Sequence, residues 1–139
     1  MSAFNALNTA VYSTLSAGTA LTALLAGTTA IYNMQAPDGA TFDYVVWNLQ
    51  SGIDDNMTAH RTKNLVVFVR GYSSTSAARA GSIDAQIDAL LHKQVLTVSG
   101  WSNFWSAREE DLETVEVTEA GNTIWMAGGM YRLRLSINP

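Results

Sequence analysis

The chain has 139 residues, no cysteine, two prolines, two histidines, and charged side chains at only 14% of its positions. Without cysteine there can be no disulfide framework and no thiolate metal site. His60 and His92 stand alone, with no ligand-spaced partner, so a surface or capping role is the ordinary reading of each and no metal or other cofactor is expected. Eight Lys and Arg face twelve Asp and Glu, for a net charge of −4 and a pI near 4.9. No basic cluster exists that could track a phosphate backbone, which argues against specific nucleic-acid binding. The first basic side chain is Arg61, so the N-terminal region lacks the positive start of a secretory signal. The apolar stretch from Ala20 to Ala26 is interrupted by Thr22 and is far shorter than a membrane span. A soluble protein that does not enter membranes is expected.

What is present is largely apolar. Hydrophobic residues reach 47% and mean hydropathy is +0.06. The length suits one domain over residues 1–139. A small domain with so little charge has a surface suited to burial against partners, and a homo-oligomer is the natural form.

Along the chain, Phe4, Leu7, Val11 and Leu15 step by three, four and four, the spacing of one helix face, which ends near Gly18. A second short helix begins near Thr19, carries Leu21, Leu24 and Leu25, and stops at Gly27. Ile31-Tyr32 opens a short strand, Pro37-Asp38-Gly39 reverses the chain, and Phe42 to Leu49 is rich in strand-forming residues. A polar loop, Gln50 to Lys63, with the run Asp54-Asp55-Asn56 inside it, follows. Leu65 to Val69 are five consecutive apolar residues, expected to form a strand inside the sheet and buried on both faces. Gly71 ends that run, the hydroxyls from Ser73 to Ser76 cap a helix start, and Ala80, Ile83, Ile87, Leu90 and Leu91 line one helix face to Leu91. Val95 to Val98 reads as a short strand, and Gly100 turns into a longer one through Trp105. An acidic segment follows from Glu109, and Gly121-Asn122 turns it back into the clean alternation of Tyr131, Leu133, Leu135 and Ile137 against Arg132, Arg134 and Ser136. The expected fold is α+β, a mainly antiparallel sheet with an N-terminal helix and one long amphipathic helix packed on one face.

No enzyme signature emerges. Asp54/Asp55 and Glu109/Glu110 are adjacent acids in polar surroundings, ordinarily just solvated, whereas acid–base work needs two carboxyls in different environments. Gly71-Tyr72-Ser73 lacks the second glycine of a nucleophile elbow, and Ser73 reads as a helix cap. Gly128-Gly129 precedes a strand with no helix to present its amides to a phosphate.

The helix with Leu7, Val11, Tyr12 and Leu15, the string Thr19 to Leu25, Ile31-Tyr32 with Pro37, Tyr44-Val45-Val46, the strand feeding the Ser73–Leu91 helix and the closing Met130–Ile137 strand together resemble the tail terminator, or tail completion, proteins of long-tailed bacteriophages. The resemblance spans nearly the whole chain. It implies a non-enzymatic virion protein that forms a homohexameric ring on the head-proximal end of the tail tube. Such a ring ends tube polymerisation and presents a joining surface to a head-completion or connector protein, while DNA passes through its lumen without specific binding. Another connector or tube subunit, or a small-ligand binding α+β module, are the alternative readings; a closed ring, long tubes or a monomer in electron micrographs would separate them.

Within this picture several residues stand out. The 50–63 loop, with Asp54, Asp55, His60, Arg61 and Lys63, is longer than a hairpin needs and reads as a docking part. Trp101 and Trp105, four apart and so on one side of a strand, read as an interface pair, against the blander reading of core packing. Asp54, Asp55, Glu109 and Glu110 are lumen candidates, since acidic lining would keep DNA from sticking. Arg132 and Arg134 are expected to pair across strands with the acidic segment, and the strand that carries them is a candidate for addition to a neighbour's sheet.

Overall fold

The computed structural model describes residues 2–55 and 59–139; Asn56 of the acidic run lies outside them. Helix α1 spans Ala3–Ser16, with the Ser2 hydroxyl accepting a hydrogen bond from the Asn5 amide at its start. Its buried face is Ala6, Leu7, Ala10, Val11 and Leu15. Phe4, expected on that face, is instead 62% exposed, because the first turn runs past the body it packs on. Helix α2 is a single turn, Thr19–Thr22, shorter than its leucines suggest: Leu21 is buried, and Leu24 and Leu25 pack on the core from irregular backbone.

Six strands follow in one sheet: β1 (Ile31–Asn33), β2 (Tyr44–Asp55), β3 (Thr62–Ser73), β4 (Thr97–Val98), β5 (Trp101–Val117) and β6 (Thr123–Ile137), with helix α3 (Ala77–Leu91) between β3 and β4. The order across the sheet is β1-β2-β3-β6-β5-β4. β1 runs parallel to β2 while the other neighbours are antiparallel, so the sheet is mixed. The parallel pair arises because the chain turns back through Pro37 to Ala40 before re-entering, with Gly39 at φ 76° supplying a left-handed residue.

Much of the described part of the polar 50–63 segment is strand rather than loop. Residues 50–55 complete β2 and residues 62–63 open β3, paired through Asp54↔Lys63 and Asp55↔Thr62, with a bulge between Leu49 and Ser51 taking up the register change. The excess length disappears into hairpin arms that run beyond the core, where polar strands resemble loops in composition. β6 also departs from expectation: it lies between β3 and β5, both its edges are paired, and it cannot add to a neighbour's sheet.

The helices cover one sheet face. Leu65, Val67 and Val69 of β3 and Tyr131, Leu133 and Leu135 of β6 point into that core, meeting Ala80, Ile83, Ile87 and Leu91 of α3 and the buried face of α1. The 65–69 run is central, as its composition suggests, but Val66 and Phe68 on the other face are only half-buried. The α3 start is capped by Ser76, whose hydroxyl accepts from the Arg79 amide; Ser73 is instead the buried last residue of β3, its hydroxyl accepting from the Thr75 amide. Asp43 closes the corner, accepting from the Ser74 amide and pairing with Arg79 at 3.3 Å, while Arg79 also donates to the Leu24 carbonyl.

Candidate interaction surface

Opposite the helices, β2, β3, β6 and β5 present a face that no element covers among the described residues. On a sheet solvated on one side, period-two alternation would make that face polar. Here Val46 and Met126 are buried, and Phe68 and Met130 are half-buried beside Arg70, whose guanidinium lies 4.5 Å from the Phe68 ring and donates to Asn48 at 2.7 Å and to the Tyr72 hydroxyl at 3.0 Å. Tyr32, Tyr44, Phe42 and Tyr72 extend the patch through successive ring contacts of 4.7–5.7 Å. Burial pushes the Tyr44 phenol up, with Tyr72 and Glu116 adding.

Charged pairs cross this surface. Arg132 grips both oxygens of Glu109 at 2.8 and 2.9 Å and donates to Asn64 at 2.6 Å. Arg134 reaches Asp55 at 3.5 Å and lies 5.4 Å from the Phe104 ring. On the helix-side face of the same hairpin, Asp54 accepts from Arg61 at 2.6 Å and from Lys63, whose ammonium is also 5.9 Å from the Trp101 ring. Seven of the eleven residues singled out by sequence, Asp54, Asp55, Arg61, Lys63, Glu109, Arg132 and Arg134, thus form ion pairs that tie together β2, the start of β3, β6 and β5. Glu110 is exposed opposite Met130, and His60 is exposed between the hairpin strands.

Trp101 and Trp105 do not share a side. A bulge between Asn103 and Trp105 shifts the register, so Trp101 pairs with Ile137 and packs on the core while Trp105 pairs with Arg134 and carries Lys93 at 3.7 Å from its ring. The bulge is held by Asn103, a buried polar residue that accepts from the Leu96 amide and the Ser106 hydroxyl and donates to two carbonyls. A polar side chain inside an apolar strand was the available signal for it.

The Lys63 hydrogen bond first, and then that of Arg61, holds the Asp54 carboxyl below the usual carboxylate range. A carboxyl depressed in the folded state adds stability above its unfolded pKa and loses it as pH falls through the folded value. The Asp54 cluster is therefore expected to open only in acid, below about pH 4. Lys63→Met should raise the Asp54 titration midpoint followed by carboxyl NMR; an unmoved midpoint would show that the pair does not form in solution.

Sequence reading missed the densest polar cluster, on the helix side. The Arg108 side chain is only 13% exposed. It donates to both Asp84 oxygens at 2.7 and 3.0 Å, to Asp111 at 2.6 Å, to the Tyr131 hydroxyl at 3.1 Å and to the Gly128 carbonyl at 2.9 Å. Its amide donates to His92 Nδ1 at 3.1 Å, and the Tyr131 hydroxyl donates to Asp88 at 3.1 Å. Burial works against the guanidinium charge, but its hydrogen bonds to Asp84, Tyr131 and Asp111 outweigh it and hold Arg108 protonated above its ordinary range. Burial likewise pushes the Tyr131 phenol up, so it remains a donor. This set of partners fixes α3 to the sheet. Among the described residues no His, Cys, Asp or Glu group is arranged to hold a metal ion, and no helix is long and apolar enough to cross a membrane.

The family model described as tail completion protein gp17 matches residues 9–137. No curated protein sequence matches. A chain in the solved structure titled "Virion of native gene transfer agent (GTA) particle" is similar in fold, with a TM-score of 0.71 at 21% identity over 97% of this chain and 98% of that one.

Proposed function

The chain belongs to the tail completion protein gp17 family of phage tail structural proteins, and we propose that it acts as a single domain that assembles into a ring, a hexamer, at the head-proximal end of the tail tube. The ring ends tube polymerisation and offers its other face to a head-completion or connector protein, and DNA passes through without specific binding. The observation that carries this is the family match over residues 9–137. The uncovered sheet face supports it: apolar and aromatic side chains crossed by partnered charges suit a protein contact better than open water. Asp54, Asp55, Glu109 and Glu110 are the proposed lumen residues, and Trp105, Arg132 and Arg134 the proposed contact residues. The function is architectural and requires no catalytic group.

Light scattering on the purified protein, alone and with isolated tube ends, tests the reading. The expected species has about six times the 15.0 kDa subunit mass, roughly 90 kDa, and electron micrographs should show it as a cap on tubes. A monomer that leaves tube ends bare would overturn it.

A further inference from the structure

The sheet has two free edges, and they lie at diagonally opposite corners. β1 pairs with β2 only at Val45–Trp47, so no strand flanks the rest of β2, residues 48–55, among the described residues. On the far side, β4 pairs only with Trp101 and Ser102, and the 92–96 segment covers the next stretch of β5: Asn103 accepts from Leu96, Lys93 donates to the Ser106 carbonyl, and His92 takes the Arg108 amide. From residue 109 to 117 β5 has no outer partner strand among the described residues. Its last two rungs with β6, Glu116↔Ile124 and Val117↔Thr123, also project past the end of β3, which stops at Ser73↔Trp125.

Each free edge carries what the other lacks. Beside β2, an apolar cleft of about 280 Å³ opens between the start of α1 and the strand, lined by Phe4, Leu7, Leu49 and Leu65 with Lys63 at its rim. On the β5 arm, Val115 and Val117 are 60% and 69% exposed, on the same sheet face as that cleft, with Glu113 beside them and Thr114 and Glu116 alternating on the other face. The arm is acidic, and beside the cleft Lys63 and Arg61 are both paired with Asp54, so apolar contact and strand pairing rather than net charge carry the match. The directions also agree. β2, β3, β6 and β5 alternate, so a second copy's β2 placed outside β5 continues the antiparallel order. The diagonal offset of the two edges is the stagger that tilted strands need if a sheet is to close on itself.

We propose that the β5 arm, residues 109–117, adds as an antiparallel strand to the free β2 edge, residues 48–55, of a second copy, with Val115 seated in that copy's cleft. The contact uses two different patches, so it is heterologous and closes into a ring when repeated. It rests on the self-association proposed above and names the surfaces that make it.

The absence of cysteine gives a clean background for testing it. A Ser51→Cys/Val115→Cys variant treated with a short bismaleimide should give a covalent ladder of oligomers. An equal mixture of the two single variants should stop at dimer, and neither single variant should crosslink alone. A Ser82→Cys/Val115→Cys pair, whose first site is on exposed α3, serves as control. Val115→Asp/Val117→Asp should weaken assembly at least tenfold with an unchanged Tm. If the wild type assembles but the ladder does not exceed the control and the Asp variant assembles normally, this contact is wrong while the ring stands. A wild type that stays monomeric with tube ends present removes both.

Discussion

Ile87→Asp is expected to abolish soluble folded protein, whereas Ala85→Asp on the exposed side of the same helix should leave the Tm within a few degrees of wild type. Ile87 is fully buried, facing the sheet with Ile83 in the cluster that includes Leu133 and Leu135. Removing a buried Ile or Leu side chain costs about 2–5 kcal/mol by itself, and an unpaired carboxylate adds a desolvation penalty of several kcal/mol. Together these reach the range of the whole stability of an ordinary domain, about 5–15 kcal/mol. Circular dichroism and thermal melts decide it: equal Tm values for the two variants would show that α3 does not pack through Ile87.

The orientation of that helix was legible because a 3.6-residue period leaves a strong trace: Ala80, Ile83, Ile87 and Leu91 are apolar and buried. β6 was legible for the same kind of reason, with Tyr131, Leu133 and Leu135 inside and Arg132 and Arg134 outside. What local pattern cannot carry is which strands become neighbours. The Arg-bearing strand looked like an edge because one of its faces is polar, yet face and edge are independent properties of a strand. The parallel β1–β2 pair is likewise set by how the chain returns, which three residues of strand do not encode.

Bulges explain the other misreadings. Strict alternation puts Trp101 and Trp105 on one side, and one extra residue, Phe104, separates them. The polar end of the β2–β3 hairpin passed for a loop because strand pairing outside a core leaves no hydrophobic signature. The Arg132–Glu109 pair follows the attraction expected between opposite charges on neighbouring antiparallel strands, whereas Arg134, expected to meet the acidic segment, reaches across β3 to Asp55 of β2. Arg108 was missed because its partners Asp84, Asp88 and Tyr131 lie 20 or more residues away in sequence and meet it only once α3 is docked.

Arg108→Met is expected to lower the Tm by about 10 °C, from a loss of about 3 kcal/mol, and to damage assembly more than folding. All five guanidinium N–H groups have partners, so the substitution strands the Asp84 carboxylate and the Gly128 carbonyl together, while the exposed Asp111 stays solvated. Lysine keeps the charge but not the fork geometry, so Arg108→Lys should fall between. Replacing both members with apolar side chains, Arg108→Met/Asp84→Leu, should recover part of the loss, because an absent pair costs less than a broken one. Gly129→Ala should reproduce the defect without touching any charge, since a Cβ there would stand 2.6 Å from Arg108 Nε and 2.8 Å from the Glu110 carbonyl oxygen. Arg108 sits at the root of the projecting 109–117 arm and holds Asp111 within it, so loosening the contact frees the arm while the core beneath remains packed. Folded Arg108→Met protein, assayed well below its Tm, should therefore cap tube ends poorly and assemble weakly. Strictly additive melts for the Arg108 and Asp84 variants would show that the pair does not couple; wild-type assembly by folded Arg108→Met would show that the arm holds its place without it.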